Sequence, residues 1–429
     1  PADMAMGEYK LYVHNGYGDN TAWSQPTTIK VGASYKADWP KTEFNVKDYG
    51  AVGDGAANDT PALVQALEAA ALNGGGIVYV PTGIYKLSYS IAIPEKVELK
   101  GDGKGASSLV WDASMWPYGK LPDGLVYFTR DMEIHDITLM GSRYKTMIRA
   151  YNAAGDETAF SIYNVDMRYY PYGGGPTSGA GSSTGEMTPV EQAQAISNEL
   201  SNSQYLNFQT GFNRYETYEF VRIENVEIKS DILNFANGSR GLTGGVDYMY
   251  MSNVKFNQGY SVIHNFKGSI VEGCEFYDNS PIGMDGHLYL ARNIFRDNME
   301  NNRELYTMDG GSYYSDVVLQ QTDDPLKFRV TSAALSKVLG MEIFVTAGQG
   351  LGQARIITGV EENADGYFIT VDKPFIMAPN RNSRCTVHTV RSQTYFINGK
   401  YDNGSASGTY GTATDMIWDG NEFIRHGGQ

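Results

Sequence analysis

Short runs of alternating apolar and polar residues fill most of the chain, and one segment follows a different period. Residues 8–33 alternate on either side of Asn15-Gly16, a pattern that predicts a β-hairpin. In Pro61–Asn73 the apolar residues recur at helical spacing, with proline in the first turn and Gly74 directly after the last residue. The pattern therefore predicts a chain of strands with one short helix near its start, at about 60–73.

A short phrase recurs through the rest of the chain: a small polar residue or glycine, an apolar residue, any residue, and a larger apolar one. It begins at Asn164, Asn225, Asn253, Gly273, Asn293 and Asn421. From Asn225 to Asn293 the phrases start 28, 20 and 20 residues apart, and self-similarity at a period of 20–30 residues predicts a solenoid. Helix-period segments are missing between the repeats, so the coils must be stacked short strands. We expect the repeated asparagines to form a ladder at one turn of successive coils.

Two stretches interrupt the repeat. Residues from about 170–205 begin with a glycine- and serine-rich run and are predicted to form a large loop. Residues 321–389 contain several alternating segments separated by glycine and aspartate turns, which predicts a small β subdomain inserted between coils. The solenoid then spans 41–429, and 1–40 contain the hairpin, interpreted as the remnant of an upstream β-sandwich, and a linker.

Charge and hydropathy exclude several partners. The chain has 34 Lys and Arg against 49 Asp and Glu, a net charge of −15. This disfavours binding to nucleic acid, and a strongly anionic polymer would need a local basic patch. No run of 18 or more apolar residues exists, so no membrane insertion is expected.

The cysteines and the chain ends add two expectations. Cys274 and Cys385 lack metal-ligand spacing, and Cys274 occupies the apolar slot of the repeat, so both are interpreted as buried or inert thiols. The chain begins at Pro1 without a signal-peptide pattern and stops at Gln429 within a repeat phrase. We therefore expect further chain or domains beyond both ends.

The stretch from Phe44 to about Gly105, with "FNVKDYGAVGDGAANDT" and "GGGIVYVPTGIY", closely resembles the N-terminal cap of pectate-lyase-like proteins. That superfamily includes polygalacturonase-type glycoside hydrolases, polysaccharide lyases and tailspikes. The resemblance implies an all-β fold, a right-handed parallel β-helix whose helix covers the open end of the solenoid. It also implies a glycan substrate in a groove on one lateral face, while the reaction stays open because catalytic and binding members share the motif.

Hydrolases of this kind need two or three carboxylates from neighbouring coils. Because adjacent coils lie about 4.8 Å apart, residues one period apart in sequence become neighbours. Asp285 and Asp309 each precede a glycine and are 24 residues apart, and Glu304 lies 19 residues after Asp285. We predict these three as the catalytic acids. The alternative, that Asp-Gly pairs only form turns, stays open.

Aromatic rings and polar side chains near the acids are the candidates for sugar contact, because flat amphipathic rings stack on sugars. The predicted substrate-binding residues are His287, Tyr289, Arg303, Tyr306, Tyr313 and Trp418. His264 is interpreted as a hydrogen-bonded structural residue. Asp323-Asp324 resembles the paired aspartates of polygalacturonase-type enzymes without their surrounding phrases, so a loop role is favoured. No metal site or cofactor is predicted.

The leading hypothesis is a secreted or cell-surface bacterial glycoside hydrolase that cleaves a polysaccharide by carboxylate acid/base catalysis. The first alternative is a polysaccharide lyase or epimerase, which would need Ca²⁺-binding carboxylates, an Arg or Lys base and an anionic uronate. Arg292, Arg296 and Arg303 lie in the right region, but the charge of −15 counts against a polyuronate. The second alternative is a non-catalytic surface or tailspike module that only binds glycan.

Overall fold

The computed structural model describes most of the chain. The residues outside the description are 1–3, 15–22, 113–121, 143, 151–157, 170–203, 209–217, 231–239, 257–259, 278–281, 286–291, 302–303, 310–313, 331–337, 389–393, 403–405, 411–415 and 426–429. At some further strand positions, among them Ile282–Asp285 and Glu304–Asp309, only the backbone is described.

The described residues form one α-helix, α1 (Thr60–Leu72), and a long series of strands. The strands before and within the first coils are β1 (Gly7–Leu11), β2 (Thr27–Val31), β3 (Glu43–Asn45), β4 (Asp54–Asn58), β5 (Gly76–Val80), β6 (Gly83–Leu87), β7 (Ile91–Ile93), β8 (Val97–Gly101), β9 (Ser107–Trp111), β10 (Val126–Phe128), β11 (Met132–Gly141) and β12 (Thr146–Ala150). Those of the middle coils are β13 (Ala159–Tyr169), β14 (Gln204–Phe208), β15 (Tyr218–Ser230), β16 (Arg240–Ser252), β17 (Lys255–Phe256), β18 (Tyr260–Glu272), β19 (Glu275–Tyr277), β20 (Ile282–Asp285), β21 (Arg292–Arg296), β22 (Met299–Asn301) and β23 (Glu304–Asp309). A separate sheet and the last coils contain β24 (Tyr314–Val317), β25 (Leu319–Gln321), β26 (Lys327–Val330), β27 (Glu342–Ala347), β28 (Ala354–Asn363), β29 (Gly366–Val371), β30 (Arg384–His388), β31 (Thr394–Ile397), β32 (Lys400–Asp402), β33 (Ala406–Tyr410), β34 (Met416–Asp419) and β35 (Glu422–Ile424).

The strands of the solenoid pair in parallel with the coil before and the coil after, which makes three lateral sheets. Sheet A contains β3, β5, β8, the first halves of β11, β13 and β15, the second halves of β16 and β18, then β21, β31 and β34. Sheet B contains β4, β6, β9, the second halves of β11, β13 and β15, then β17, β19, β22, β32 and β35. Sheet C contains β7, β10, β12, β14, the first halves of β16 and β18, then β20, β23 and β33. The predicted parallel β-helix is confirmed.

The helix α1 closes the N-terminal end of the solenoid. Its apolar side, which includes Leu63, Ala66 and Leu67, is almost completely buried and contacts the strands of the first coils. Pro61 lies in its first turn, where a missing backbone N–H costs nothing. The helix therefore covers apolar interior and free strand ends, as the resemblance implied. In the described part of the chain, no helix is long and apolar enough to cross a bilayer.

From β11 onward, the corner between sheets A and B is a single residue in the left-handed conformation. Asp136, Asn164, Asn225 and Asn253 have φ between 50 and 55°, and Gly273 continues the series at 60°. The Nδ2 of Asn225 donates to Oδ1 of Asn164 at 2.9 Å, and that of Asn253 donates to Asn225 at 3.2 Å. Asn164 donates in the same way to Asp136. The predicted asparagine ladder is present at Asn164, Asn225 and Asn253, but not at Asn421, where Gly420 has the left-handed φ of 64°.

The prediction placed the next ladder residue at Asn293, and this is wrong. Asn293 lies inside β21, and the corner residue of that coil is Asp297, with φ 53°. The following residue, Asn298, is buried and takes the place of the apolar residue. Its Oδ1 accepts from the backbone N–H of Cys274 at 2.9 Å, and its Nδ2 donates to the Val271 carbonyl at 3.0 Å. The buried amide of Asn298, with both its oxygen and its nitrogen hydrogen-bonded, thus takes the position that Val254 has two coils earlier.

The solenoid interior is a set of apolar columns that repeat from coil to coil. Phe256 and Phe276 stack with ring centroids 5.0 Å apart, and Phe295 and Phe396 stack at 5.2 Å. Cys274 lies completely inside this core, and burial raises the pKa of its thiol to about 12. Cys385 is buried in a second core, and both thiols are free. The interpretation of both as buried thiols is confirmed.

The inserted subdomain is a small barrel with its own core. Its antiparallel sheet runs β24, β30, β27, β28, β29, β26, β25. The two edge strands of this order, β24 and β25, are separated by only one residue in the chain. The chain therefore passes directly from one edge of the sheet to the other, which closes the sheet into a barrel. Its first described strand, β24, begins at Tyr314. Asp324 accepts from the backbone N–H of Leu326 at 2.8 Å in the β25–β26 turn.

The remaining predicted elements are only partly described. β1 and β2 pair antiparallel, as the N-terminal alternation predicts, while the Asn15-Gly16 turn lies outside the described residues. Most of the predicted loop at about 170–205 is also outside them, and its end overlaps β14.

The ladder generates a stability prediction at Asn225. Asn225→Ala removes the two ladder hydrogen bonds and a longer one from Lys104 at 3.5 Å, and it places a Cβ-bearing residue without a local hydrogen bond at φ 52°. We expect the free energy of unfolding to fall by about 2 kcal/mol, from the hydrogen bonds and the left-handed strain together. Asn225→Gly loses the same bonds without the strain, so it should lose less. Urea unfolding of both variants measures the difference, and equal losses would contradict a conformational role.

Candidate functional site

The structure places two of the predicted catalytic acids side by side on sheet C. Asp285 ends β20, Asp309 ends β23, and these two residues are direct partners in the parallel ladder. Neighbouring parallel strands lie about 4.8 Å apart, so the two backbones are adjacent, as the 24-residue spacing predicts. Glu304 begins β23 and is the partner of Ala406 on the next coil.

The same ladder brings two further residues to this level. Ile263 is the partner of Met284, so His264 is level with Asp285 on the preceding coil. On the following coil, Tyr410 is the partner of Asp309. We call the four register positions, His264, Asp285, Asp309 and Tyr410, the sheet C column. Sequence reasoning assigned His264 a structural role and missed Tyr410, because the inserted barrel separates it by about a hundred residues from its partner.

The other predicted contact residues are only partly located. Tyr306 lies on β23 with the acids. His287, Tyr289, Arg303 and Tyr313 lie outside the described residues.

Trp418 does not join the acids. It lies on β34 in sheet A, and its ring stacks on the buried ring of Phe396 with centroids 3.9 Å apart. The structure therefore makes the acids of β20 and β23 neighbours in sheet C and places Trp418 at the last described coil of the Phe295 and Phe396 column, where its ring is still exposed on one side.

The early coils of sheet C carry described side chains on the same lateral sheet. Tyr127 of β10 is the register partner of Arg149 of β12, and both side chains are half-buried. Beside them Lys145 donates to Asp123 at 2.6 Å. This hydrogen bond lowers the pKa of the Asp123 carboxyl, with a smaller contribution from Arg149. Two cations and one acid thus lie together at this end of the sheet.

A second group of ionisable side chains lies on sheet A and was missed by sequence reasoning. Glu98, Glu133 and His135 come from β8 and β11, and Lys36 reaches them from residues 34–39, which we call the strap. Lys36 Nζ lies 2.9 Å from Glu98 Oε2 and also contacts Glu133. His135 Nε2 lies 2.9 Å from Glu98 Oε1. We call these four residues the strap cluster.

Aromatic side chains enclose the strap cluster. The Tyr163 ring stacks on His135 with centroids 4.6 Å apart, and its hydroxyl donates to Glu133 at 2.9 Å. Burial, with the nearby Glu133 charge, raises the pKa of the Tyr163 phenol far above its usual range. The Tyr35 hydroxyl lies 2.6 Å from Ser161 Oγ, so the strap is attached across successive coils.

The strap cluster has the donor atoms of a metal site, but an ammonium group already lies among them. The ligand atoms of Glu98, Glu133 and His135 all lie within 4.8 Å of one another, which is the one such group found in the described part of the chain. Lys36 supplies the positive charge that the two buried carboxylates need. We interpret the cluster as the attachment of the strap to the solenoid, and sequence spacing does not reveal it because Lys36 and Glu133 are 97 residues apart.

Residues 43–285 match the family described as rhamnogalacturonase A/epimerase, pectate lyase-like. Mannuronan C5-epimerase AlgE5 of Azotobacter vinelandii is 26% identical over 385 residues, 76% of this chain and 35% of the relative. Alginate lyase 7 of the same organism is 35% identical over 115 residues, 24% of this chain and 13% of the relative.

Among solved structures, the A-module of mannuronan C-5 epimerase AlgE4 of Azotobacter vinelandii is similar over 90% of this chain and 96% of that one. The identity is 13% and the TM-score 0.31. This chain spans about a third of the length of the first curated relative.

The strap cluster generates a pH prediction. The hydrogen bond from His135, followed by Lys36, lowers the pKa of Glu98 from 4.5 to about 2. A lowered carboxyl pKa stabilises the fold at pH above about 4.5, and this stabilisation is lost as pH falls through about 2. Glu98→Gln should therefore remove roughly 1–3 kcal/mol at neutral pH and flatten the stability curve between these pH values.

The measurement is urea unfolding across this pH range, with Glu68→Gln on the exposed side of α1 as the matched control. Wild type and control should lose stability in parallel, and Glu98→Gln should lose less on acidification. A variant whose acid slope equals that of the wild type would exclude Glu98 as the titrating group.

Proposed function

Because the chain belongs to the rhamnogalacturonase A/epimerase, pectate lyase-like family of polysaccharide-active proteins, we propose that it converts a polyuronate by removing the C5 proton of a uronate unit. The observation that carries the proposal is the sheet C column of His264, Asp285, Asp309 and Tyr410 on four successive coils. The 26% identity to a mannuronan C5-epimerase over 76% of this chain, and the similarity to an alginate lyase, support a polyuronate over a neutral glycan.

The residue types of the column suit this reaction. Removal of a proton next to a carboxylate needs a base, and epimerisation needs an acid that returns a proton from the other face. In our proposal His264 and Tyr410, at the two ends of the column, take these two roles. A lyase differs only in the next step, in which the C4–O bond breaks and the leaving oxygen takes the proton.

The central aspartates have a separate role in the proposal. In the proposal Asp285 and Asp309, which are register partners on adjacent coils, act as a pair in which one aspartate carries a proton. A protonated aspartate can donate a hydrogen bond to the uronate carboxylate, which stabilises the charge that develops when the C5 proton leaves. Carboxylate oxygens are also the ligands that Ca²⁺ prefers, so calcium dependence needs its own test.

The second candidate is a glycoside hydrolase, and the direct pairing of Asp285 with Asp309 favours it. One carboxyl would protonate the leaving oxygen and the other would activate water or attack the sugar. The third candidate is a module that only binds glycan, in which the sheet C column would contact the sugar without catalysing a reaction. Because such polymers are outside cells, an extracellular location belongs to all three proposals.

The decisive experiment follows products from polymannuronate and polygalacturonate incubated in D₂O. Epimerisation introduces deuterium at C5, elimination gives unsaturated ends that absorb in the ultraviolet, and hydrolysis gives reducing ends without unsaturation. Asp309→Asn should lower the rate at least about a hundredfold, because it removes a proton-carrying group from the reacting centre. Asp365→Asn, in an exposed turn of the barrel, is the matched control and should keep full activity.

Each outcome separates the candidates. Deuterium uptake or unsaturation that is lost in Asp309→Asn supports the proposal, and addition of a chelator shows whether calcium takes part. Reducing ends alone move the assignment to the hydrolase. Binding without any product, unchanged in Asp309→Asn, moves it to the non-catalytic module.

A further inference from the structure

The early coils of sheet C carry an aromatic and basic surface that the proposed chemistry does not use. We propose that Tyr127 and Arg149 form a distal subsite, which binds one carboxylate-bearing sugar residue of the polymer several units away from the reacting unit. This inference rests on the proposed polyuronate substrate and deepens it. It also assigns a direction to the bound chain, along the solenoid axis.

Alternation along the strands shows that both side chains face outward. In β10, Val126 and Phe128 are buried on either side of Tyr127, and in β12 Ile148 is buried before Arg149. Tyr127 and Arg149 are register partners, so their side chains leave sheet C next to each other. The two groups therefore form one surface and not two isolated residues.

A glycine shapes one side of this surface. A Cβ at Gly124 would come within 3.0 Å of the Tyr127 ring and 3.1 Å of Arg149 Cβ, so the 122–125 turn lies directly against both side chains. Its backbone is held by Ser90 Oγ, which donates to the Gly124 carbonyl at 2.6 Å, and by Leu125 N–H, which donates to the Thr146 carbonyl at 3.0 Å. The Tyr127 ring and the Arg149 stem thus pack against a turn whose backbone is held by hydrogen bonds.

An unbroken ladder connects this surface to the sheet C column. From Arg149, the register partners on the next four coils are Asn207, Thr243, Val262 and Gly283. Gly283 lies two residues before Asp285 on the same strand. Four steps of about 4.8 Å place Arg149 roughly 19 Å from the strand of Asp285. One coil spacing is close to the length of one pyranose unit, so the surface faces the polymer about three to four units from the column.

The chemistry of the surface fits an anionic sugar. A guanidinium donates two parallel hydrogen bonds to a carboxylate, and a tyrosine ring offers a flat face for a pyranose. Lys145 adds a second positive charge beside Arg149, while Asp123, the acid found next to them, is held by Lys145 at 2.6 Å. Among the described residues, Arg149 and Lys145 against Asp123 thus give this surface a local excess of positive charge, in a chain with a net charge of −15 where a polyanion needs one.

The test measures binding and turnover separately with the full chain. Polymannuronate retention in affinity electrophoresis is compared for the wild type, Arg149→Gln, Arg149→Lys and Lys400→Gln. Lys400 is an exposed lysine of sheet B, so its variant removes one charge from another lateral sheet. Arg149→Gln should weaken retention about tenfold, because it removes the paired charge-assisted hydrogen bonds from the guanidinium to the sugar carboxylate, whereas Lys400→Gln should match the wild type. Arg149→Lys should restore part of the affinity if the fold is intact.

Turnover measurements test how KM depends on the length of the substrate, because a purely structural role of Arg149 would not make KM depend on that length. Arg149→Gln should raise KM for long polymannuronate much more than for trimers and tetramers, with a smaller effect on kcat. Equal retention for Arg149→Gln and Lys400→Gln, or equal KM increases for short and long chains, would overturn the subsite. Arg149-dependent retention without any product from the wild type would keep the subsite and overturn the proposed reaction.

Discussion

The structure depends on one repeated constraint: from β11 onward, the described coils turn from sheet A to sheet B at a single left-handed residue. Such a corner needs the left-handed backbone conformation, which costs most residues about 1–2 kcal/mol and which asparagine, aspartate and glycine tolerate best. Asn164, Asn225 and Asn253 meet the requirement and bond to one another along the axis. Because the corner is the same on each of these coils, the register of the flanking strands is the same as well. That common register stacks the interior side chains into columns, and it aligns the functional groups of sheet C in the same way.

The ladder explains why spacing in the sequence predicts part of the site. With the register fixed, residues one coil apart are neighbours, and the 24 residues from Asp285 to Asp309 are one coil. His264 and Tyr410 are at the same level, but recognising them requires the length of every intervening turn and insertion. The barrel inserted between β23 and β31 interrupts the spacing of one coil per repeat, so the period of the sequence does not connect Asp309 with its partner Tyr410. The helix α1 was predictable for the opposite reason, since its period, proline and terminal glycine are all local.

The errors of the sequence interpretation have physical causes too. Asn293 fits the repeat phrase, but the corner of that coil is Asp297, because aspartate also tolerates the left-handed conformation and Asn298 fills the interior slot by bonding Cys274 and Val271. Trp418 was expected near the acids because aromatic residues suit sugars, yet the ladder places it above Phe396 in an interior column. Aromatic residues serve both purposes, and only the register distinguishes them.

The net charge of −15 was an argument against a polyanionic substrate, and the distribution of the charges weakens it. Part of the negative charge is neutralised within the fold, since Lys36 pairs with Glu98 and Glu133, and Arg296 pairs with Glu272 on sheet A. A polymer on sheet C is separated from these pairs by the solenoid core and by screening within a Debye length of about 8 Å at physiological salt. The field that it meets is set by nearby charged groups at the surface, which among the described residues of the early coils of sheet C include Lys145 and Arg149 against Asp123. An acidic chain can therefore bind an anionic polymer, provided that its cations lie on the sheet that faces the substrate.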